Sequence, residues 1–252
     1  MWLLNSSIGK KLIMSLSGLF LILFLLFHLS MNVTAAFSGA AYNTVCSLLG
    51  ANWYAVVGTF VLAAFVIIHF VYAFMLTLQN RKARGNDRYL ISARPKNVEW
   101  ASQNMFVLGL IVLLFIILHL YQFWYHMMFA ELAGVEGSIN PQDGAQFINY
   151  YFKGNIIVTV LYLIWFTALW FHLTHGFWSA IQTLGWNNTI WIKRWQCVSQ
   201  IVATIICGLF AVITIVFFVK GVGGDLSQCQ DACHSVCQSA CDAAQQMGGG
   251  CK

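Results

Sequence analysis

The sequence predicts an all-α membrane protein, a five-transmembrane-helix bundle with its N-terminus in the cytoplasm and its C-terminus outside. The chain is 60% hydrophobic and only 8% charged, which is the composition of a membrane protein. Five apolar stretches reach the roughly 20 residues needed to cross a bilayer. Each must be helical, because lipid offers no partner for backbone polar groups. The stretches cover 11–33, 53–79, 101–127, 155–182 and 197–219.

The first stretch resembles a secretory signal peptide only in its position. It is too long, lacks a clean cleavage site of small residues and contains His28, so we expect it to be retained as a helix. The remaining stretches follow at short intervals, which leaves no room for a separate soluble domain. Residues 1–222 therefore form the membrane domain, and 223–252 form a cysteine-rich outer tail.

The positive charges predict the orientation. Basic residues precede the first stretch and fill the second and fourth connections, whereas the first connection, 34–52, carries no charge. Since basic residues mark the cytoplasmic side, these three positions face inward. The net charge of +5 is explained by this collar and calls for no nucleic-acid partner. The basic residues are Lys10, Lys11, Arg81, Lys82, Arg84, Arg88, Arg94, Lys96, Lys193 and Arg194.

Four histidines lie in four different apolar stretches: His28, His69, His119 and His172. An imidazole in hydrocarbon is a candidate functional residue by default. A neutral imidazole is also an axial ligand of haem iron, so four of them suffice for two bis-histidine haems. The alternative is that each imidazole only makes hydrogen bonds between helices, which is the ordinary role of a single intramembrane histidine.

The depths of these histidines predict two pairs. At about 1.5 Å per residue from the cytoplasmic edge, His28 lies roughly 25 Å deep and His119 roughly 28 Å deep. His69 and His172 lie roughly 18 Å and 17 Å deep. We therefore expect an outer pair, His28 with His119, and an inner pair, His69 with His172.

Three further histidines are weaker candidates. His175 follows His172 by one helical turn and competes with it as a ligand. His126 is one heptad beyond His119, on a similar helix face near the outer interface, where it could contact a quinone or a haem propionate. A solvated histidine at the interface is the favoured alternative. His234 lies in the tail, where we expect it to be exposed.

The sequence around these histidines resembles one family. The first stretch reads SLSGLFLILFLLFHLSMN from Ser15 to Asn32, and the fourth reads HLTHGFWSAIQTLGW from His172 to Trp186. These motifs, with one histidine in each of the first four helices, resemble the dihaem cytochrome b anchor of succinate:quinone oxidoreductases, quinol:fumarate reductases included. The resemblance is to the single five-helix b558-type subunit and covers residues 1 to about 222.

The resemblance implies two haem b groups with the same two histidine pairs as ligands. In the family the first ligand precedes a Leu and, a turn later, an Asn, as His28 does here. The fourth ligand precedes a Gly by four residues, which favours His172, followed by Gly176, over His175. A serine at the position of Ser15 lies near the inner haem's propionates in some members.

The resemblance also implies partners and a membrane. A flavoprotein subunit and an iron–sulfur subunit dock on the cytoplasmic face and interconvert succinate and fumarate, so no dicarboxylate chemistry and no catalytic residue belong to this chain. The chain passes electrons between the iron–sulfur subunit and a quinone, with menaquinone typical of many relatives. The resemblance also implies that the chain lies in the bacterial cytoplasmic membrane, in contact with membrane lipid. A dimer of heterotrimers is a possible assembly.

The chain departs from the family at two points. Some members carry a Glu two residues before the fourth ligand, where this chain has Trp170, and no carboxylate lies within the hydrocarbon part of any stretch. Some members also have an acidic residue near a quinone in the first outer connection, which has none here. The remaining polar candidates for a quinone contact are Asn43, Thr44, Ser47 and Asn52.

Small residues and cysteines complete the candidates. Small side chains let a flat macrocycle fit between helices, although helix packing is an equally good explanation. Four tail cysteines at every fourth position suggest a disulfide-stapled cap, with Cys46 as one possible partner, or else a metal site with His234. We expect Cys197 and Cys207 to be buried thiols. The small residues are Ser17, Gly18, Gly58, Gly109 and Gly176, and the tail cysteines are Cys229, Cys233, Cys237 and Cys241.

Two other classes of function remain. A transporter could use buried histidines to bind a transition metal or to carry protons. Transporters usually contain internal repeats or broken helices, and neither is visible in the sequence. A haem-free anchor for a peripheral enzyme is the second alternative.

Overall fold

Five long helices form a multi-pass membrane bundle. The computed structural model describes residues 6–84, 100–135, 137–186 and 188–221, and in these ranges all regular structure is helical, which confirms the predicted all-α class. Large apolar side chains such as Phe60, Leu114 and Ile157 are exposed on the helix surfaces, as lipid contact requires. The spanning helices are α1 (Ser7–Phe37), α3 (Trp53–Arg84), α5 (Met105–His119), α8 (Ile156–Thr183) and α9 (Trp191–Lys220); the short ones are α2 (Gly39–Leu49), α4 (Trp100–Gln103), α6 (Ala130–Ala133) and α7 (Gly144–Phe152).

The third span begins later than the predicted 101–127. Asn104 interrupts the helix between α4 and α5, with its side chain donating to the Trp100 carbonyl at 2.9 Å. The Trp100 ring packs against Phe171 with 5.1 Å between ring centroids. Counted from Met105 instead of Trp100, His119 lies about 21 Å along its helix.

A π-helical segment, Leu120–Phe129, continues α5. In a π-helix each N–H bonds to the carbonyl five residues earlier instead of four, so each turn contains more residues than a turn of α-helix. This change rotates later side chains away from the α-helical register. The ring of His119 contacts Trp165, whereas the ring of His126 contacts Phe147. The prediction that the two histidines share a face is therefore wrong.

The first and third connections fold into helices α2 and α7, which form a cap over one end of the bundle, here called the capped end. Ser38 and Asp143 begin these helices by accepting hydrogen bonds from backbone N–H groups of the first turn. Asn43 joins the two helices, because its amide donates to Asp143 at 2.8 Å and accepts from the Ala145 N–H at 2.9 Å. The cap is thus a single hydrogen-bonded unit.

The opposite end of the bundle, here called the basic end, carries Lys10, Lys11, Arg81 and Arg194 near helix termini. The Arg194 guanidinium lies 4.9 Å from the centroid of the Trp191 ring. Such pairs of cation and aromatic ring suit the border between hydrocarbon and water.

The tightest packing lies between α8 and α9. Ser199 is fully buried, and its hydroxyl lies 3.2 Å from the carbonyl oxygen of Leu173 and 2.5 Å from that of Thr174. Trp170 donates to the Thr204 hydroxyl at 2.9 Å. By contrast, no described residue of α3 is buried, so α3 lies at the edge of the bundle.

The two cysteines of α9 differ from each other. Cys207 is buried, as predicted, but Cys197 is exposed. The prediction that Cys197 is a buried thiol is wrong, because it lies near the start of α9 on a face that no other described helix covers.

Candidate functional site

The four intramembrane histidines meet in two pairs. The ring centroids of His69 and His172 are 6.3 Å apart and their planes are at 74°. The ring centroids of His28 and His119 are 5.8 Å apart and their planes are at 85°. Each pair joins two different spanning helices, α3 with α8 and α1 with α5. These are the partners that the depth counts predicted.

The two pairs lie at different levels of the bundle. A Cβ atom placed on Gly18 of α1 would lie 3.1 Å from Cε1 of His69, and one on Gly109 of α5 would lie 3.4 Å from Cε1 of His172. On both helices the histidine of the other pair follows ten residues later, which is about 15 Å along the axis. Helices α1 and α5 thus each present a glycine at one level and a histidine at the other.

The remaining small residues predicted to accommodate a macrocycle behave differently. A Cβ on Gly58 would meet nothing within 4 Å, and one on Gly176 would lie 3.4 Å from the Met105 side chain. Neither touches a histidine. Among the glycines that the structure describes, Gly18 and Gly109 are the two whose missing side chains leave space for an imidazole.

The hydrogen bonds of His69 define its tautomer. Its Nδ1 lies 3.2 Å from the Met14 carbonyl and 3.2 Å from the Ser17 hydroxyl. A carbonyl only accepts, so Nδ1 carries the hydrogen and Nε2 has a free lone pair. Ser17 is 2% exposed and also donates to Met14. Ser15, which the resemblance implied, is half-buried on the same helix, and the serine that contacts the histidine is Ser17.

A buried polar chain fixes His119. Its Nδ1 lies 3.2 Å from the Tyr162 hydroxyl, which lies 2.7 Å from Oε1 of Gln122. Because Tyr162 donates its one hydrogen to Gln122, its oxygen accepts from Nδ1–H of His119, and Nε2 keeps its lone pair. Tyr162 and Gln122 are 4% and 6% exposed. Sequence reasoning missed both, although a glutamine in an apolar span was a usable signal.

The other two histidines have different surroundings. Nε2 of His28 lies 3.3 Å from the amide nitrogen of Asn32, which also donates to the His28 carbonyl at 2.8 Å. Nδ1 of His172 is buried and has no hydrogen-bond partner among the described residues. His175 packs edge-on against Trp178, with 5.0 Å between centroids. The structure thus places His172, and not His175, opposite His69.

The polar residues proposed for a quinone contact are engaged within the cap. Asn43 binds α7, and the other three side chains bond to backbone carbonyls of α2. An acidic group does reach the first connection, because the Glu131 carboxylate accepts from the Ala51 N–H at 3.1 Å and from Gln142 at 2.8 Å. Sequence reasoning missed this contact because it joins residues 80 positions apart. The three α2-bonded residues are Thr44, Ser47 and Asn52.

In the ranges that the structure describes, no three His, Cys, Asp or Glu side chains gather into a group that could hold a metal ion. The histidines therefore remain two separate pairs. No family model, no curated protein and no solved structure matches this chain.

Cys46, proposed as a disulfide partner of the tail, lies in the cap, while all four tail cysteines lie outside the described residues. The Tyr42 side chain and the Gly144 N–H approach its sulfur, and burial raises the pKa of the Cys46 thiol to about 11. The thiolate is the reactive form. At neutral pH Cys46 is therefore a protonated, slowly reacting thiol.

We predict that alkylation of Cys46 by iodoacetamide is slow at pH 8 and keeps accelerating past pH 10. The raised pKa favours the neutral thiol in the folded state, so this contribution to stability is present below the ordinary pKa near 9 and is lost as pH rises above it. Peptide-resolved mass spectrometry measures the rate, with Cys46→Ser as the control. A rate that levels off by pH 9 would contradict the assigned environment.

Proposed function

We propose that this chain is a dihaem membrane cytochrome b, the anchor subunit of a bacterial succinate:quinone oxidoreductase or quinol:fumarate reductase. The observation that carries the proposal is the meeting of four intramembrane histidines in two pairs, on four helices and at two levels. The enzyme class comes from the resemblance of the Ser15–Asn32 and His172–Trp186 segments to that family.

The separation of the rings fits coordination of one iron by each pair. Bonds between a metal and a histidine nitrogen are about 2 Å long. Ring bonds of about 1.33 Å place each nitrogen about 1.1 Å from its ring centroid. Two imidazoles on opposite sides of one iron therefore have centroids about 6.2 Å apart. The observed separations are 5.8 and 6.3 Å. A porphyrin supplies the other four ligands, so two imidazoles suffice.

The surroundings of the rings also fit ligands of a metal. A ligating histidine commonly donates its second N–H to a carbonyl or another fixed group. His69 does so to Met14, and His119 does so to Tyr162. At His28, ligation through Nε2 requires the Asn32 amide to turn aside. The buried indole N–H of Trp165 has no hydrogen-bond partner among the described residues, and its ring lies 5.7 Å from that of His119, so it is a donor suited to a polar ligand group.

When bound, the two haems would carry single electrons between the iron–sulfur partner and a membrane quinone. His69 with His172 would hold one group and His28 with His119 the other, and two imidazoles at each would leave no place for a further ligand. The apolar helices around the pairs exclude water. The hydrogen bonds of Met14 and Tyr162 hold the imidazoles in the tautomer that presents Nε2, and tune the electron donation of the ligands.

The proposal assigns the basic end to the cytoplasm of a bacterium, following the distribution of Lys and Arg. The flavoprotein and iron–sulfur subunits dock on this end, beside residues such as Lys10 and Arg194. The capped end faces outward. Menaquinone is the proposed quinone, and a dimer of heterotrimers is the proposed assembly. Both proposals rest on the resemblance alone.

The proposal predicts two low-spin haem b groups per purified chain. A reduced-minus-oxidised optical spectrum with a haem assay measures the number. His172→Ala should lose the inner haem and keep the outer one, because its ring faces His69. His175→Ala, one turn away and packed against Trp178, should keep both haems. Bound zinc without haem would favour a transporter, and neither group would favour a haem-free anchor. Loss of a haem only in His175→Ala would overturn the ligand assignment.

We also predict that Tyr162→Phe raises the midpoint potential of the outer haem and leaves the inner haem unchanged. The phenol oxygen accepts the Nδ1 hydrogen of His119, which makes the imidazole a better donor and favours oxidised iron. Ser17→Ala is the matched control at the other level, where the Met14 carbonyl remains as acceptor for His69. Redox titration followed optically measures both. Equal shifts of the two potentials would contradict the assigned contacts.

A further inference from the structure

Helix α3 is the least enclosed of the five spanning helices. None of its described residues is buried, whereas α1 buries Ile22, Leu29 and Ala35, and helices α8 and α9 each bury eight residues. In a bilayer, moving one helix away from another costs mainly their packing contacts, because lipid tails are as apolar as the side chains they replace. A movement of α3 away from the bundle therefore costs less than the same movement of α1, α8 or α9.

One side of α3 packs closely against α1. The ring of Phe65 stacks on that of Phe20 with 4.0 Å between centroids. One turn later, Nδ1 of His69 lies 3.2 Å from the Met14 carbonyl, and the imidazole lies against Gly18. These contacts lie close together along α3, so the helix can swing about them without breaking them. We call this the hinge side of α3.

The other side of α3 meets α5 and its π-helical continuation at two places, one toward each end. Toward the basic end, the ring of Phe74 lies 6.3 Å from that of Phe106, and the Arg81 guanidinium lies 5.6 Å from the Phe106 ring. Toward the capped end, the Thr59 hydroxyl donates to the Met128 sulfur at 3.4 Å. A thioether is a weak acceptor, and cation–π contacts near water are also weak. We call the contacts of Phe106 the latch.

The inner histidine pair lies between these two places. Its rings, His69 of α3 and His172 of α8, face each other across 6.3 Å. Nδ1 of His172 has no hydrogen-bond partner among the described residues. The outer pair is held more firmly, because α1 and α5 both contain buried residues and His119 is fixed by the buried Tyr162. A swing of α3 would therefore separate the inner rings and leave the outer pair in place.

We propose that α3 is a lateral gate of the inner pair, which swings about its hinge side and lets haem enter and leave between His69 and His172 from the lipid. Haem is flat and mostly apolar, so it dissolves in hydrocarbon and needs no path through either end of the bundle. When it leaves, the two bonds from iron to the histidine nitrogens break and no electron is transferred. The passage of haem rests on the proposed function, while the movement of α3 does not.

The first test measures haem exchange in the oxidised full-length chain in lipid nanodiscs, with excess apomyoglobin as the acceptor of released haem. The optical spectrum should change in two phases, and His172→Ala, which keeps only the outer haem, should lack the fast phase. Phe106→Ala removes one aromatic pair and one cation–π contact, so it should speed the fast phase about tenfold and leave the slow phase unchanged. Arg81→Gln should speed the fast phase about threefold.

Two control variants carry the same kinds of change away from the latch. Phe129→Ala removes a ring that packs within its own helical segment, and Lys82→Gln removes an exposed charge next to Arg81. Neither should change either rate. Equal rates for the two haems of the wild type, or a Phe106→Ala variant that speeds both phases or neither, would overturn the gate.

The second test measures the movement of α3 without an inner haem. In His172→Ala no ring faces His69, so no ligand holds α3 closed. Fluorine NMR of the reduced variant, with 4-fluorophenylalanine in place of Phe74 or Phe65, should show saturation transfer between two signals at the latch position 74 and none at the hinge position 65. Transfer at both positions or at neither would overturn the gate. A chain without haem would refute the proposed function and leave this measurement valid.

Discussion

The interaction on which the rest of the structure depends is the meeting of imidazoles across helices inside an apolar bundle. Hydrocarbon provides no hydrogen-bond partner, so a buried imidazole must find one on the protein or on a ligand. His69 and His119 meet this requirement through Met14 and Tyr162, on neighbouring helices. Each pair joins two helices that face each other across the bundle with few or no close backbone contacts, so the imidazoles bridge the space between them.

Helices α1 and α5 have the same design at the two levels. Each carries a glycine where a histidine of one pair approaches, and ten residues later a histidine of the other pair. The glycines remove the side chains that would otherwise separate helices, which is the usual role of small residues in membranes. Helix α3 has no buried residue among those described, yet it supplies His69. A helix at the edge of the bundle thus contributes one of the four histidines.

The parts of this arrangement that follow local rules could be predicted from the sequence. Apolar stretches of sufficient length gave five spans, and a constant rise per residue gave the two pairs, even though the start of the third span was misplaced at Trp100 instead of Met105. Counted from Met105, His119 lies about 4 Å from the depth of His28 and about 3 Å from that of His69, so the depth counts alone no longer separate the pairs, and the ring contacts decide them. His172 was preferred over His175 from a glycine four residues later, and the rings agree.

The parts that depend on tertiary contacts could not be predicted. The π-helical turn that redirects His126 has no sequence signature of the kind that proline or glycine provides. The Tyr162–Gln122 chain joins two spans, and the Glu131–Ala51 contact joins two connections, so neither pair of residues is related by any period along the chain. For the same reason Ser17, and not Ser15, is the serine that contacts His69.

The central claim is that each histidine pair binds one haem iron, and electron paramagnetic resonance of the oxidised protein tests it most directly. The imidazole planes within the pairs lie at 74° and 85°. Nearly perpendicular axial planes leave two iron d orbitals almost equal in energy, which makes a low-spin signal strongly anisotropic. The account predicts two such signals, of equal intensity and without a high-spin component. A single signal, a high-spin signal or two rhombic signals typical of parallel planes would contradict it.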